Sequence, residues 1–131
     1  MTRPTPWNDQ ENAALVALYF AMLDKAIAGE SYNKAAMIRR EQEQLSLDHE
    51  PGQRVPFLAD RSRGSIEAKL MNASAAHRDL LLANGEGSVL NTMADFGYKA
   101  WGNYQSSLKD AMQTEISERT QAFADNARMP A

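Results

Sequence analysis

The residues best suited to bind a ligand lie at the start of a predicted helix, in the segment RSRGSIEAKLMN at positions 61–72. Two arginines precede this helix, and two serines are able to cap its first turn or to meet a phosphate group. Spacings of four and three residues place Ser65, Lys69 and Asn72 on one helical face. Arginines and backbone amides hold DNA phosphates, whereas Asn and Lys reach base edges in the major groove. The segment has the residue types of a DNA recognition helix, although an ordinary capped surface helix carries the same pattern.

Few other residues are of types and spacings that indicate catalysis or metal binding. The chain has no cysteine, which excludes disulfides, thiolate nucleophiles and Cys-type zinc sites. His49 and His77 are the only imidazoles, and neither belongs to a metal-binding HExxH or His-x-His motif. Carboxylates such as Glu115 and Glu118 form no recognisable acid–base pair. The sequence therefore predicts a protein that is not an enzyme and holds no metal or cofactor.

Charge is unevenly distributed along the chain. The net charge is −3, from 14 basic and 17 acidic residues. Residues 31–80 carry eight basic and seven acidic side chains, whereas the rest of the chain carries six and ten. The middle is therefore the only stretch suited to a polyanion. No signal peptide or membrane-length apolar run is present, so we expect a cytoplasmic protein that does not enter a membrane.

Helical periodicity without strand-like alternation predicts an all-α single domain over residues 1–131, with flexible ends at 1–6 and 127–131. Five helices are expected, and Pro51, Gly52 and Pro56 mark residues 47–60 as a loop insertion. The first helix starts at Asn8, which forms a capping box with Glu11, and stops at Ala28-Gly29. The second runs from Ser31 to about Ser46, and the third from Ser62 or Ser65 to Asn84-Gly85. The fourth runs from Ser88 to Gly97, and the fifth from about Asn103 to the C-terminal end.

Apolar residues at helical spacing predict the core, and the last helix carries such a stripe through Leu108 and Met112. That stripe leaves two alternatives open, since it suits packing on the chain's own core or pairing with a second copy. Trp7 is placed to pack back onto the first helix as a hydrophobic staple. Helical spacing and flanking turns place six aromatic residues in core or staple positions: Trp7, Tyr19, Phe20, Tyr32, Trp101 and Tyr104.

Four segments resemble an N-terminal helical module of bacterial HNH-type and restriction-like endonucleases that occurs in prophage and defence loci. These segments are WNDQENAALVALYFAM (7–22), SYNKA (31–35), RSRGSIEAKLMNASA (61–75) and GYKAWGNYQSSLKDAM (97–112). The first three helices also resemble a Myb or SANT-type unit, a helix-turn-helix relative whose third helix enters the major groove. Because no nuclease domain follows here, the resemblance implies no cleavage chemistry. It implies DNA binding by Arg61, Arg63, Ser65, Lys69 and Asn72, with Arg39 and Arg40 contacting phosphates.

The sequence therefore supports two hypotheses about function. The first is a non-enzymatic module that binds double-stranded DNA through the helix starting at Arg61–Ser65, with a homodimer through the C-terminal helix. The second is an acidic protein-interaction module, such as a phage or mobile-element inhibitor of a defence system, which docks on a nucleic-acid-handling enzyme. The second draws on the acidic ends of the chain, where Asp110, Glu115 and Glu118 are suited to a basic cleft.

Overall fold

Four α-helices and one short 3-10 helix form the part of the protein that its computed structural model describes, which comprises residues 6–48, 58, 61–85 and 92–128. The elements are α1 (Asp9–Ile27), α2 (Lys34–Asp48), α3 (Arg63–Ala83), the 3-10 helix (Met93–Phe96) and α4 (Ser106–Arg128). No strand occurs among these residues. The predicted all-α class is thus confirmed, as one domain in which α3 packs against the other three α-helices.

Helix α1 begins and ends where its sequence signals predict. The side chain of Asn8 accepts a hydrogen bond from the Glu11 amide at 2.8 Å, and Glu11 returns one to the Asn8 amide at 3.0 Å. Together they satisfy two backbone donors that a helix leaves unpaired at its start. At the other end Gly29 takes a φ of +73°, which ends the helix after Ala28. Between the caps, Leu15, Tyr19 and Met22 are fully buried.

Helix α4 packs on the chain's own core. Leu108 and Met112 are fully buried, and the helix contacts both α1 and α3. Two polar contacts fix its direction, since Asn12 of α1 meets Ser107 and Asp24 meets Arg119. The contact nearer the start of α1 involves the start of α4, and the contact nearer the end of α1 lies further along α4. The two helices therefore run parallel. No described helix is long and apolar enough to cross a membrane.

Several helix boundaries differ from the sequence prediction. Helix α2 extends to Asp48 and α4 extends to Arg128, so residues 47–48 of the predicted loop insertion and residues 127–128 of the predicted flexible end are helical. Helix α2 begins at Lys34, because Asn33 and not Ser31 caps it by accepting the Ala36 amide at 3.0 Å. The predicted fourth helix is only the 3-10 helix, which Gly97 closes with a φ of +91°, so the described α-helices are four and not five. Its predicted start at Ser88 lies outside the described residues. Helix α4 begins at Ser106 and not at Asn103.

The aromatic prediction holds for most residues and is wrong for one. Trp7, Tyr19 and Phe20 are buried, and Tyr32 and Tyr104 are half-buried against the core. Trp101 is 47% exposed. Its amide donates to the Met71 carbonyl at 3.0 Å, and its own carbonyl accepts from Asn72 at 2.9 Å. The backbone of Trp101 is therefore fixed against α3, while the indole lies at the surface.

Candidate functional site

Arg61 is committed to contacts inside the protein. Its guanidinium forms a two-pronged ion pair with Glu11, with N···O distances of 2.5 and 2.7 Å. It also donates to the Pro6 carbonyl at 3.0 Å and lies 4.9 Å from the centre of the Trp7 ring. The side chains of Arg61 and Glu11 are only 9% and 8% exposed. Arg61 therefore joins the chain before α1 to the start of α3.

Two other predicted contact residues of α3 also face the interior. Lys69 donates to the side-chain carbonyl of Gln105 at 2.8 Å and lies 5.4 Å from the centre of the Trp7 ring. The Asn72 amide donates to the carbonyls of Trp101 and Asn103, at 2.9 and 3.1 Å, and the residue is 8% exposed. Lys69 and Asn72 thus hold the segment before α4 against α3.

The electrostatics of this interior cluster follow from its burial. Burial alone would raise the pKa of Glu11, but hydrogen bonds from Arg61 and from the Asn8 backbone, with the nearby cationic charge, bring it below its ordinary value. For Lys69, burial lowers the pKa, and the charge of Arg61 lowers it further. The cluster therefore holds two cations, Arg61 and Lys69, beside the single carboxylate of Glu11.

The remaining predicted contact residues lie at or near the surface. Arg63 is 63% exposed and forms an i,i+4 ion pair with Glu67 at 3.2 Å. Arg39 and Arg40 are exposed on α2. Ser65 is half-buried, and its amide donates to the Ser62 side chain that caps α3. The structure thus brings Arg61 and Lys69 together over Trp7 and leaves three arginines outside.

A buried tyrosine–histidine pair is the second polar contact of the interior. The Tyr19 hydroxyl lies 2.9 Å from Nδ1 of His77 and accepts the Met93 amide at 3.2 Å. Burial raises the pKa of Tyr19 to about 12; for His77, burial and the charge of Arg119 lower the pKa to about 4. The Tyr19 hydroxyl and Nδ1 of neutral His77 therefore share a hydrogen bond inside the core. This pair joins α1 to α3 and to the 3-10 helix. The other histidine, His49, lies outside the described residues.

An acidic groove lies between α1 and α4, and we call it the α1–α4 groove. Its volume is about 410 Å³. Its floor and walls are formed by Asp9, Ala13, Val16, Ser107, Asp110, Ala111, Thr114, Glu115 and Glu118. Four of these residues are acidic and none is basic. No ion pair within the described part of the chain involves any of the four.

Sequence reasoning named three of the four groove carboxylates and missed Asp9. Glu115 and Glu118 lie three residues apart on α4, and Asp110 lies eight residues before Glu118, so helical spacing groups both Glu115 and Asp110 with Glu118. Asp9 comes from the first turn of α1, where acidic residues are expected at any helix start. Only the parallel packing of α1 and α4 brings Asp9 beside the others.

The arrangement offers an open acidic surface between α1 and α4. Among residues 6–48, 58, 61–85 and 92–128, no three His, Asp or Glu side chains converge to hold a metal ion. No protein-family model, curated protein or solved structure matches this chain. The resemblance to nuclease-associated modules therefore stays a prediction.

Proposed function

We propose that this chain is a non-enzymatic protein-interaction module whose α1–α4 groove binds a basic segment of a partner protein. The observation that carries the proposal is the groove itself, where four carboxylates surround a space of about 410 Å³ without a basic residue. Carboxylates attract cations, so a basic partner is complementary in charge to this lining. The groove thus favours lysine and arginine side chains.

The composition of the groove narrows the kind of partner further. Ala13, Val16 and Ala111 provide small apolar contacts between the carboxylates, and Ser107 and Thr114 add hydroxyl groups. A segment with apolar residues on one side and basic residues on its flanks complements such a surface. An amphipathic basic helix has that form.

The proposal agrees with the inhibitor interpretation of the sequence. Enzymes that handle nucleic acid carry basic clefts for phosphate groups, and an acidic surface is complementary to such a cleft. A phage or mobile-element protein that docks there competes with the nucleic acid for the same cations. This role requires no catalytic residue in the chain.

Affinity for a basic peptide tests the proposal. The probe is a fluorescently labelled amphipathic helical peptide with lysine and arginine on its polar side, measured by anisotropy across a salt series. We expect binding by the wild type, and a loss of about tenfold or more for the double variant Glu115→Gln/Glu118→Gln. Glu30→Gln is the matched control, because Glu30 is an exposed carboxylate outside the groove. Equal affinity for all three proteins, or no binding, contradicts the proposal.

Binding of double-stranded DNA is the second candidate function, and the exposed Arg39, Arg40 and Arg63 support it. Three of the seven predicted contact residues, Arg61, Lys69 and Asn72, make contacts within the fold. The exposed arginines would therefore bind DNA mainly through its phosphate groups. Such binding weakens steeply with salt, and each lost phosphate contact reduces the salt slope by about one. If Arg39→Ala and Arg63→Ala leave duplex affinity and its salt slope unchanged, this candidate fails.

A further inference from the structure

The segment 96–101 presents two exposed aromatic side chains and one lysine. Phe96 is 46% exposed and Trp101 is 47% exposed, whereas Trp7, the chain's other tryptophan, is buried. Lys99 lies between the two aromatic residues in sequence, is exposed, and makes no ion pair within the described part of the chain. Large exposed aromatic side chains are costly in water and are typical of binding surfaces.

The backbone holds both aromatic residues in place. Trp101 is bound through its amide to Met71 and through its carbonyl to Asn72. Phe96 ends the 3-10 helix, which Asp95 caps by accepting the Thr92 amide at 2.7 Å. A surface that is ordered before binding loses less entropy when a ligand arrives.

The charges around this segment favour an anionic ligand. Of three acidic side chains in the surrounding structure, Asp95 pairs with Arg78 at 3.5 Å and Glu67 pairs with Arg63 at 3.2 Å. The third, Asp79, accepts the neutral Tyr104 hydroxyl and keeps its charge. Next to Lys99 in sequence, the Tyr98 ring carries a second cation, since Lys34 Nζ lies 4.5 Å from its centre. The exposed aromatic residues are therefore accompanied by Lys99 and Lys34.

We propose that Phe96, Lys99 and Trp101 form a binding surface for single-stranded nucleic acid, with bases stacked on the two rings and a phosphate held by Lys99. Aromatic platforms beside cations bind unpaired strands because every base has a stackable face. In a duplex those faces are hidden, so the surface discriminates against double strands. This proposal is independent of the α1–α4 groove.

The test measures anisotropy of labelled oligothymidylate of 20 nucleotides and of a matched duplex, at low salt. We expect the single strand to bind more tightly than the duplex. Trp101→Ala and Phe96→Ala each weaken single-strand binding by about tenfold, the usual loss for one stacked base. Trp101→Phe keeps most of the affinity, because a smaller ring still stacks.

Two control variants separate stacking from general effects on the protein. Leu82→Ala removes an exposed apolar side chain of α3, and Lys109→Ala removes an exposed lysine of α4. We expect neither to change single-strand affinity, and circular dichroism checks that every variant is folded. Bound single strand should quench tryptophan fluorescence in the wild type and not in Trp101→Phe. This readout does not depend on a destabilising substitution, because the variant keeps an aromatic ring. No single-strand binding, tighter duplex binding, or unchanged affinity in Trp101→Ala overturns the proposal.

Discussion

Two carboxylates in the first turn of α1, Glu11 and Asp9, differ completely in their surroundings. Glu11 is buried with Arg61, and its charge is neutralised inside the fold. Asp9 faces the α1–α4 groove beside three further carboxylates and has no cationic partner there. The difference separates charges that build the structure from charges that remain for a ligand. The interior cluster around Arg61 belongs to the first class, and the groove belongs to the second.

The largest effect is expected at the interior cluster. Arg61→Ala leaves the buried Glu11 carboxylate without its partner, so we expect the free energy of unfolding to fall by about 3–5 kcal/mol. Arg63→Ala is the matched control, since its exposed pair with Glu67 contributes less than about 1 kcal/mol. Urea unfolding of both variants measures the difference. Similar small losses in both would show that the interior cluster is not structural.

Acid affects the interior through His77. Its pKa is about 4 in the folded protein and 6.5 in the unfolded chain, so the unfolded state binds the proton more readily. The stability contribution is complete above pH 6.5 and decreases as the pH falls towards 4, by about 3 kcal/mol in total. Thermal unfolding between pH 7 and pH 5 follows the first part of this loss. His77→Gln should flatten the curve in that range, and an unchanged slope would contradict the assignment.

A smaller loss is expected from Asn72→Ala. The variant removes two hydrogen bonds that hold the Trp101 and Asn103 carbonyls against α3. We expect the free energy of unfolding to fall by about 1–2 kcal/mol, because the two carbonyls lose a buried donor. Hydrogen exchange at the amide of Trp101 should also become faster. If exchange there is unchanged, another contact holds the segment.

The smallest effect on stability is expected in the groove. Glu115→Gln/Glu118→Gln changes surface carboxylates that have no ion pair in the described structure, so the free energy of unfolding should stay within about 0.5 kcal/mol of the wild type. Urea unfolding checks this expectation. A large loss of stability would show that these groove carboxylates stabilise the fold. The contrast between the structural Glu11 and the groove residue Asp9 would then be wrong.

Local sequence signals predicted much of the fold. The caps at Asn8 and Ser62 and the stop at Gly85 depend on neighbouring residues alone, and the structure confirms them. The capping of α2 by Asn33 was missed because Ser31 has the same chemistry two residues earlier.

The candidate site was harder to predict because it depends on tertiary packing. Helical spacing correctly groups Ser65, Lys69 and Asn72 on one face, but it does not say whether that face meets water or the rest of the protein. The partners of Lys69 and Asn72 are more than 25 residues away, at Gln105 and Trp101. Likewise Asp9 joins the groove only through the packing of α1 on α4. Neither contact has a signal in the local sequence.

Chemical-shift mapping by NMR tests the central claim most directly. The labelled protein is titrated with the basic amphipathic peptide, and amide shifts are followed across the described helices. We predict that the largest changes fall on the groove, at Ala13, Val16, Ala111 and Thr114. Changes confined to the exposed arginines of α2 and α3, or an absence of changes, would contradict the assignment of the α1–α4 groove as the partner-binding surface.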